Sequence, residues 1–440
     1  MAGPYFVRTT GNDSTGDGST GNPWASISKA LSVCVGGETV NVGTGSYAEN
    51  TGASGHFTVT NAAGVDITVQ SETGARDVTI TGVSDAVVNT IVQSSATHVV
   101  FKNLIFGMRV NTQTYACRLA QCSSIQFIGC QFAVKQNAGQ INIGLNVQPT
   151  GAGTTVSFIC NGCNFAADGN TSKIFGATAN NATGNTIVGS FINCTSSGFV
   201  GDSLYFNGGT ITVTGGSYAN GGSATHCLSF GIDSNTGGNP TTATLSGVRI
   251  DFSVGSIGHG LLFGNGCVSC TADNCYISGE DLGCVLKEHT GTVISNCLIY
   301  TGSSAAAYFK AANGCTFRNC VIVADQNGSA ALRLGAGDTG NKNQNNIYRY
   351  NKVIAANGGN AFNFGPAGAL DDLGGEVVDS NIYDLRHSTG NFGTVGATTN
   401  ISKFDFAALK TALAAYVGAP TNDVNSRLLV PLQQTRSMLV

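Results

Sequence analysis

A six-residue pattern recurs through this chain and constrains its fold more than any other feature: apolar, any, Gly/Asn/Asp, small, any, apolar. It reads Phe127-Ile128-Gly129-Cys130-Gln131-Phe132, Cys160-Asn161-Gly162-Cys163-Asn164-Phe165 and Leu245-Ser246-Gly247-Val248-Arg249-Ile250. It returns as Ala272-Asp273-Asn274-Cys275-Tyr276-Ile277, Ile294-Ser295-Asn296-Cys297-Leu298-Ile299 and Phe317-Arg318-Asn319-Cys320-Val321-Ile322. Weaker copies close at Ile105, Ile192, Tyr218, Val353 and Ile382. The closing residues stand 22 to 33 apart, about 28 on average. A fixed short motif at variable spacing means rigid strands joined by loops of unequal length, the signature of a solenoid.

Parity inside the motif gives its shape. Alternate residues of a strand share a face, yet the first apolar residue and the small residue are three apart. Both point inward only if the chain turns a corner between them. Gly and Asn hold that corner, and these residues tolerate left-handed dihedrals best. The motif therefore predicts strand, bend, strand. In-register coils ~4.8 Å apart stack Asn274, Asn296 and Asn319 in one column and Cys275, Cys297 and Cys320 in another. A second strand follows each motif: Ser203–Phe206, Cys227–Phe230, Gly260–Phe263, Cys284–Lys287, Ala307–Lys310 and Ala331–Leu334. Two strands, a bend and further turns per repeat describe a three-faced coil. No repeat carries a long amphipathic helix, which disfavours leucine-rich and βα solenoids. A β-propeller, the runner-up, needs about four strands per 40–50 residues, more than these repeats hold. The expected fold class is all-β: a right-handed, single-stranded parallel β-helix of about 11–13 coils.

Composition agrees. Only 10% of the 440 residues are charged and the net charge is −4, so no basic face argues for nucleic acid. The 42% hydrophobic content excludes general disorder. No apolar stretch reaches the ~18 residues of a membrane span. Met1–Tyr5 resembles no signal peptide, so synthesis in a cytoplasm is expected. The 15 cysteines are odd in number and read as buried thiols acting as small hydrophobes. Zinc is the rival at Cys160-x-x-Cys163 and Cys267-x-x-Cys270, but neither pair has a well-spaced histidine. No metal or other cofactor is expected.

The terminal coils of a solenoid need caps. Asn22–Leu31 reads as a short helix with Pro23 at its first position and Trp24, Ile27 and Leu31 on one face. Asp405–Gly418 reads as a second helix, capped by Asp405, ended by Gly418 and striped by Phe406, Leu409, Leu413 and Val417. Residues 419–440 read as an extended tail. The division expected is a cap and first coil over 1–50, the β-helix over 51–400, and a closing segment over 401–440.

The opening stretch resembles that of right-handed β-helix proteins of the pectate-lyase-like superfamily. The matching residues are Thr10-Gly11-Asn12-Asp13, Gly16-Asp17-Gly18, Asn22-Pro23-Trp24, Ile27, Ala30-Leu31, Gly37-Glu38-Thr39-Val40 and Gly45-Ser46-Tyr47. Phe404–Pro431, with Asp423, Asn425 and Ser426, resembles the closing segment of such proteins. With the coils between, the resemblance spans nearly the whole chain. It implies the fold, phage tailspike β-helices included. It does not choose among lyases, hydrolases, epimerases, spikes and inert stalks.

Acidic pairs on a solenoid face are the chemistry to look for. Glu280 and Asp325 each lie three residues past a motif's end, with Gly302 holding that register on the coil between. Two rungs separate them by ~9.6 Å, near the upper end for an inverting glycosidase. Asp281 adjoins Glu280 and completes the candidate catalytic set. Glu288-His289 reads as a possible site or, more simply, a solvated loop. Arg318, Arg333 and Arg349 stand isolated, their stems covering apolar surface. In the second strand, Tyr205, Leu262, Leu286 and Phe309 fall among the outward positions, an apolar stripe of the kind that marks an interface. A homotrimer buries such a stripe, as does a loop of the same chain. The leading reading is a bacteriophage virion spike (tailspike, fibre or head decoration). It would bind a host-surface polysaccharide as a homotrimer, beside other virion proteins. A free-standing polysaccharide lyase or glycoside hydrolase and a non-catalytic surface spacer are the alternatives.

Overall fold

The computed structural model describes residues 3–49, 56–57, 64–82, 90–92, 98–108, 115–135, 142–149, 152–167, 174–180, 184–220, 226–233, 238–252, 258–327, 329–335, 343–364, 377–385, 392–395, 398–402, 406–417 and 425–429. Two compact units divide the chain, Met1–Ala224 and Thr225–Val440.

Each unit is a parallel β-helix of three sheets, with every third strand returning to the same sheet. In the first unit, the strands that enter the corner form one sheet: Tyr5–Val7, Thr39–Val42, Ile67–Ser71, Val99–Lys102, Ser123–Ile128, Thr155–Asn161, Thr186–Ile192 and Gly209–Thr214. The strands that leave it, such as Gln131–Val134 and Asn164–Ala167, form another, and strands such as Tyr115–Gln121 and Asn142–Val147 form the third. In the second unit, Thr241–Ser246, Thr271–Asp273, Val293–Ser295, Thr316–Arg318, Ile347–Arg349 and Val377–Asp379 enter the corner. Arg249–Phe252, Tyr276–Gly279, Leu298–Thr301, Val321–Ala324, Lys352–Ala355 and Ile382–Asp384 leave it. His226–Phe230, His259–Phe263, Leu282–Lys287, Ala305–Lys310, Ala330–Gly335 and Asn360–Phe364 complete the coil. Gly393–Val395 pairs antiparallel with Thr398–Ile401, and isolated antiparallel bridges join Ser19 to Asn22 and Ile232 to Asn265.

The corner is what the motif predicts. Its third residue has φ between 50° and 63° at Asn103, Gly129, Gly162, Asn193 and Gly215, and again at Gly247, Asn274, Asn296, Asn319, Tyr350 and Ser380. Corner amides bond to the next coil at Asn103, Asn193, Gly247 and Asn319 and also at Gly129 (to the Asn161 carbonyl), Gly162 (to that of Ile192), Asn274 (to that of Ser295) and Asn296 (to that of Arg318). The left-handed turn therefore aims an N–H along the solenoid axis and leaves no donor orphaned. Register corrects three weak copies of the motif. The residues aligned with Phe132, Phe165 and Val353 are Phe106, Ser196 and Tyr383, so Ile105, Ile192 and Ile382 sit off the inward column. Ile382 is 40% exposed.

The column after the corner holds cysteines, all free and buried. Their thiols donate to carbonyls of the coil below: Cys130 to Phe101, Cys163 to Phe127 and Cys194 to Cys160, at 3.3, 3.2 and 3.3 Å. Cys297 and Cys320 do the same toward Ala272 and Ile294. Farther on, asparagine takes over. Asn351 accepts from the Cys320 amide, Asn381 from the Asn351 amide, and Ser426 from the Asn381 amide. The amide ladder thus runs through buried Asn351 and Asn381. Asn296, at the corner, turns its side chain to Asp273 (2.7 Å).

The first helix spans Ile27–Val33, four residues later than Pro23 suggests, with Ser26 as N-cap. Trp24 instead bridges to Val7 and stacks on Tyr5. Two carboxylates hold the helix start: Asp13 accepts from Ala25 and Ser26, and Glu49 from Ile27 and Ser28. The second helix spans Phe406–Val417 and buries Leu409 and Leu413. Asp405, Gly418 and the Val417 side chain lie outside the described residues. Arg427–Leu429 of the expected tail forms a strand on Ile382–Asp384. No helix among the described residues is long and apolar enough to cross a membrane.

Candidate functional site

Register brings the predicted acids together. Ile277, Ile299 and Ile322 align, as do Gly279, Thr301 and Ala324, so Glu280, Gly302 and Asp325 follow in one file at the strand ends. Amides tie the file: Gly302 donates to the Gly279 carbonyl and Asp325 to that of Thr301. Asp325 accepts from the Tyr300 hydroxyl at 3.0 Å and from the Asn357 amide at 2.7 Å. Asp281 directly precedes the strand Leu282–Lys287, and its carbonyl receives the amides of Ser304 and Ala305. Burial pushes the Asp281 carboxyl above its ordinary range, against the opposing pull of Arg333, Ser304 and Ser303. Arg333 donates to Ser304 (3.3 Å) and lies 4.7 Å from the Tyr308 ring centre. Asp281, Ser304, Tyr308 and Arg333 therefore form one polar patch beside the Tyr300–Asp325–Asn357 chain.

The adjoining sheet face corrects the predicted interface. Leu286 aligns with Phe309, and Phe309 packs against Phe317 and Tyr348 at 4.8 Å between ring centres. Both leucine and phenylalanine belong to the interior. The outward column is instead Ser229, Leu262, Val285, Tyr308, Arg333 and Asn363. Leu262 pairs with Val285 and Val285 with Tyr308 in unbroken register, so the windows Cys284–Lys287 and Ala307–Lys310 taken from the sequence start one residue too late and exchange the inward and outward positions. Leu262 does face outward, yet it is 0% exposed, in a cluster with Leu282, Val285 and Ala305 under Tyr308. These three residues leave no free surface for a partner. Tyr205 is half-buried.

A second cluster lies on the same set of strands. His226 and His259 occupy equivalent positions on successive coils, with ring centres 4.9 Å apart. Asp233 joins them from the segment after the first of these strands. It sits 3.6 Å from His226 Nε2 and accepts from Lys287 Nζ at 2.8 Å. Burial pushes the Asp233 carboxyl up, but His226 and Lys287 outweigh it and hold the group well below the usual carboxylate range. Burial, then the charges of His226 and Lys287, depress His259 to about 3, against the opposing pull of Asp233. The sequence concealed this cluster because its members are strewn over four segments.

Glu288 and His289 prove not to be a solvated pair. His289 is buried against Phe263 and Cys315, and burial lowers it to about 4. Arg318 and Arg349, isolated in sequence, align on adjacent rungs. Among the described residues no group of three or more His, Cys, Asp or Glu is arranged to hold a metal ion.

No protein-family model matches the chain, and no curated protein matches it. Solved structures do. XylC in its complex with xylose is 11% identical, covering 97% of this chain and 82% of its own, with a TM-score of 0.39. Tailspike protein 3 of bacteriophage CBA120 is 11% identical over 86% of this chain and 58% of its own, with a TM-score of 0.49. Pectate lyase Pel9A is 13% identical over 96% and 80%, with a TM-score of 0.30. The architecture described above is carried by the strand pairing itself.

Proposed function

We propose that this chain is a glycan-engaging β-helix that cleaves its ligand at the Asp281–Asp325 corner. The observation carrying this reading is the contrast between the two carboxyls. Asp281 is pushed toward its protonated form beside Arg333, while Asp325 accepts from Tyr300 and Asn357 two rungs away. Two acids in unlike surroundings suit inversion at a glycosidic carbon; Glu280, next to Asp281, stands ~9.6 Å from Asp325 by rung count. Asp281 gives its proton to the leaving glycosidic oxygen. Asp325 takes a proton from water as the water oxygen bonds to that carbon and the old carbon–oxygen bond breaks. Tyr308 and Arg333 offer an aromatic face and a charged donor to hold the sugar. Glu280, in file with Asp325, is the alternative donor.

A panel of purified bacterial surface polysaccharides, assayed for new reducing ends, tests this. Asp281→Asn is expected to lower turnover at least 10²-fold with the melting temperature retained. Unchanged turnover in both Asp281→Asn and Glu280→Gln, on a glycan the native protein cleaves, overturns the assignment.

The wider setting we propose is a virion spike, assembled as a homotrimer with other virion proteins and made in a host cytoplasm. Its support is the low charge of an extended rung-by-rung fold; the buried Leu262, Leu286 and Phe309 no longer contribute. Light scattering decides the trimer: a particle of 44.8 kDa at micromolar concentration rejects it.

A further inference from the structure

The outer face of the corner-entering sheet in the second unit carries a column of charged and polar side chains: Asp273, Ser295, Arg318, Arg349 and Asp379, aligned rung by rung. Arg318 and Arg349 are both exposed and sit on adjacent rungs, ~4.8 Å apart at the backbone. Neither guanidinium has an ion-pair or hydrogen-bond partner among the described residues. The nearby carboxylates are engaged elsewhere. Asp273 accepts from Ser295 and Asn296, both at 2.7 Å. Asp379 accepts from the Asn425 backbone and side chain and from Ser380. Directly after Arg349, at the corner itself, Tyr350 is 62% exposed. Its φ of 60° is one that Gly or Asn fills on other coils, and a bulky residue there is strained.

Stacking two like charges on adjacent rungs costs free energy, even with Asp273 within the field of Arg318 and Asp379 on the rung after Arg349, and an exposed tyrosine at a left-handed corner adds to the cost. Nothing in the solenoid needs them: Ser295 fills the same column one rung below, and Asn319 the same corner. What the arrangement does supply is two guanidinium forks on adjacent rungs, each able to grip a carboxylate or sulfate in bidentate fashion. Beside them stands an aromatic ring for a sugar face.

We propose that Arg318, Arg349 and Tyr350 form a binding site for an acidic polysaccharide, with one acidic group on each arginine and a sugar ring on Tyr350. The site lies on a different sheet from the Asp281–Asp325 corner and needs no catalysis. It goes beyond the cleavage reading, and either can fail while the other stands.

The test is titration calorimetry of the full chain with polygalacturonate, heparin and neutral dextran at 50 and 300 mM salt, with Arg249→Gln as a control for removal of one surface charge. The expected result is binding of at least one acidic polymer and none of dextran. Arg318→Ala/Arg349→Ala should raise Kd at least tenfold with the melting temperature unchanged. Tyr350→Asn should raise it severalfold while leaving the protein as stable or more so. Higher salt should weaken the native protein more than the double variant. No binding of either acidic polymer, equal binding by the double variant, or an equal loss in Arg249→Gln overturns the proposal. Duplex DNA bound as tightly, with the same arginine dependence, also overturns it, since the ligand would then be read as phosphate rather than sugar.

Discussion

The two units build the same coil with different fillings. The first is filled by aromatic ladders: Phe106, Phe132 and Phe165 stack with ring centres 5.5 and 4.9 Å apart, and Phe101 stacks on Phe127 at 5.6 Å. In the second, rings persist at Phe309, Phe317 and Tyr348, but small Ala272, Cys284 and Ala307 fill much of the interior beside them, and Asn343, Asn346, Asn351 and Asn381 are buried as well. The second unit also holds the buried histidines, the Asp233–Lys287 pair and both proposed glycan contacts. Rung geometry is evidently indifferent to what fills it, because backbone pairing along the axis is common to both units. The filling decides something else: how closely stacked rings fill a unit, and how far buried polar groups tune the side chains around them.

Removing a ladder ring is the strongest way to break that contrast. Phe132→Ala should cost about 3–5 kcal/mol, since a fully buried ring leaves a cavity that stacked neighbours on both sides cannot fill. Cys297→Ala in the second unit removes one small atom and should cost about 1 kcal/mol or less. Equilibrium denaturation of each variant measures both. Equal costs would mean the aromatic ladder adds nothing beyond the volume it fills.

The polar filling can be attacked next. Asn351→Ala strips the Cys320 amide of its acceptor and the Phe317 carbonyl of its donor. An unsatisfied buried amide costs about 1–3 kcal/mol. Hydrogen exchange should show the lost protection centred on Cys320 and its neighbouring rungs, because each coil touches only the next. Asn351→Asp, which keeps the acceptor and loses the donor, should recover the Cys320 amide alone.

Acid separates the units in a third way. The folded His259 sits at about 3 and His289 at about 4, both below the ordinary 6.5. A depressed folded value means the unfolded chain binds the proton first, so their contribution is full above pH 6.5 and is lost as pH falls toward the folded values. Asp233, also depressed, acts in the same direction below its ordinary 3.8. In the first unit, burial raises Glu49, so acid relieves rather than strains it. Between pH 6.5 and 4, exchange protection of residues 259–263 should fall relative to residues 125–128. His289→Gln should blunt the fall. A constant ratio across that range would show the histidines are not held neutral.

How much of this was legible in the sequence follows from the kind of information each feature carries. The corner is local. Six consecutive residues encode its left-handed φ and the parity break, so even the weak copy around Tyr350 bends where the motif says. Closing residues were misassigned at Ile105, Ile192 and Ile382 where an apolar side chain sits one residue before the inward position, or where small Ser196 fills it. Glu280 and Asp325 could be placed in file because both hang at a fixed offset from strong copies. The outward column could not be followed past Leu262, because the loop lengths between coils differ and a window placed one residue late turned Leu286 and Phe309 from core into supposed surface. The His226–His259 pair and the Arg318–Arg349 pair lie 33 and 31 residues apart, and only register joins them.

The smallest effects test whether the corner is interchangeable between units. Gly162 has φ +61°, and a Cβ there would meet nothing within 4 Å. Gly162→Ala therefore isolates the strain of a left-handed alanine, about 1 kcal/mol, with no steric component. Gly129→Ala has the same strain, but its Cβ would press on the Asn103 side-chain oxygen, so it should cost more. Gly162→Asn imports the residue that fills this corner at Asn193 and, in the second unit, at Asn274, Asn296 and Asn319, and should stay within about 0.5 kcal/mol of the native protein, because asparagine tolerates this φ. Asn296→Gly runs the exchange backwards and forfeits only an exposed bond to Asp273, again about 0.5 kcal/mol. Denaturation midpoints of the four variants should rank Gly129→Ala lowest, Gly162→Ala next, and the two exchanges near native. If Gly162→Asn falls below Gly162→Ala, the corner is not one element repeated through both units but two, each fitted to its own neighbours.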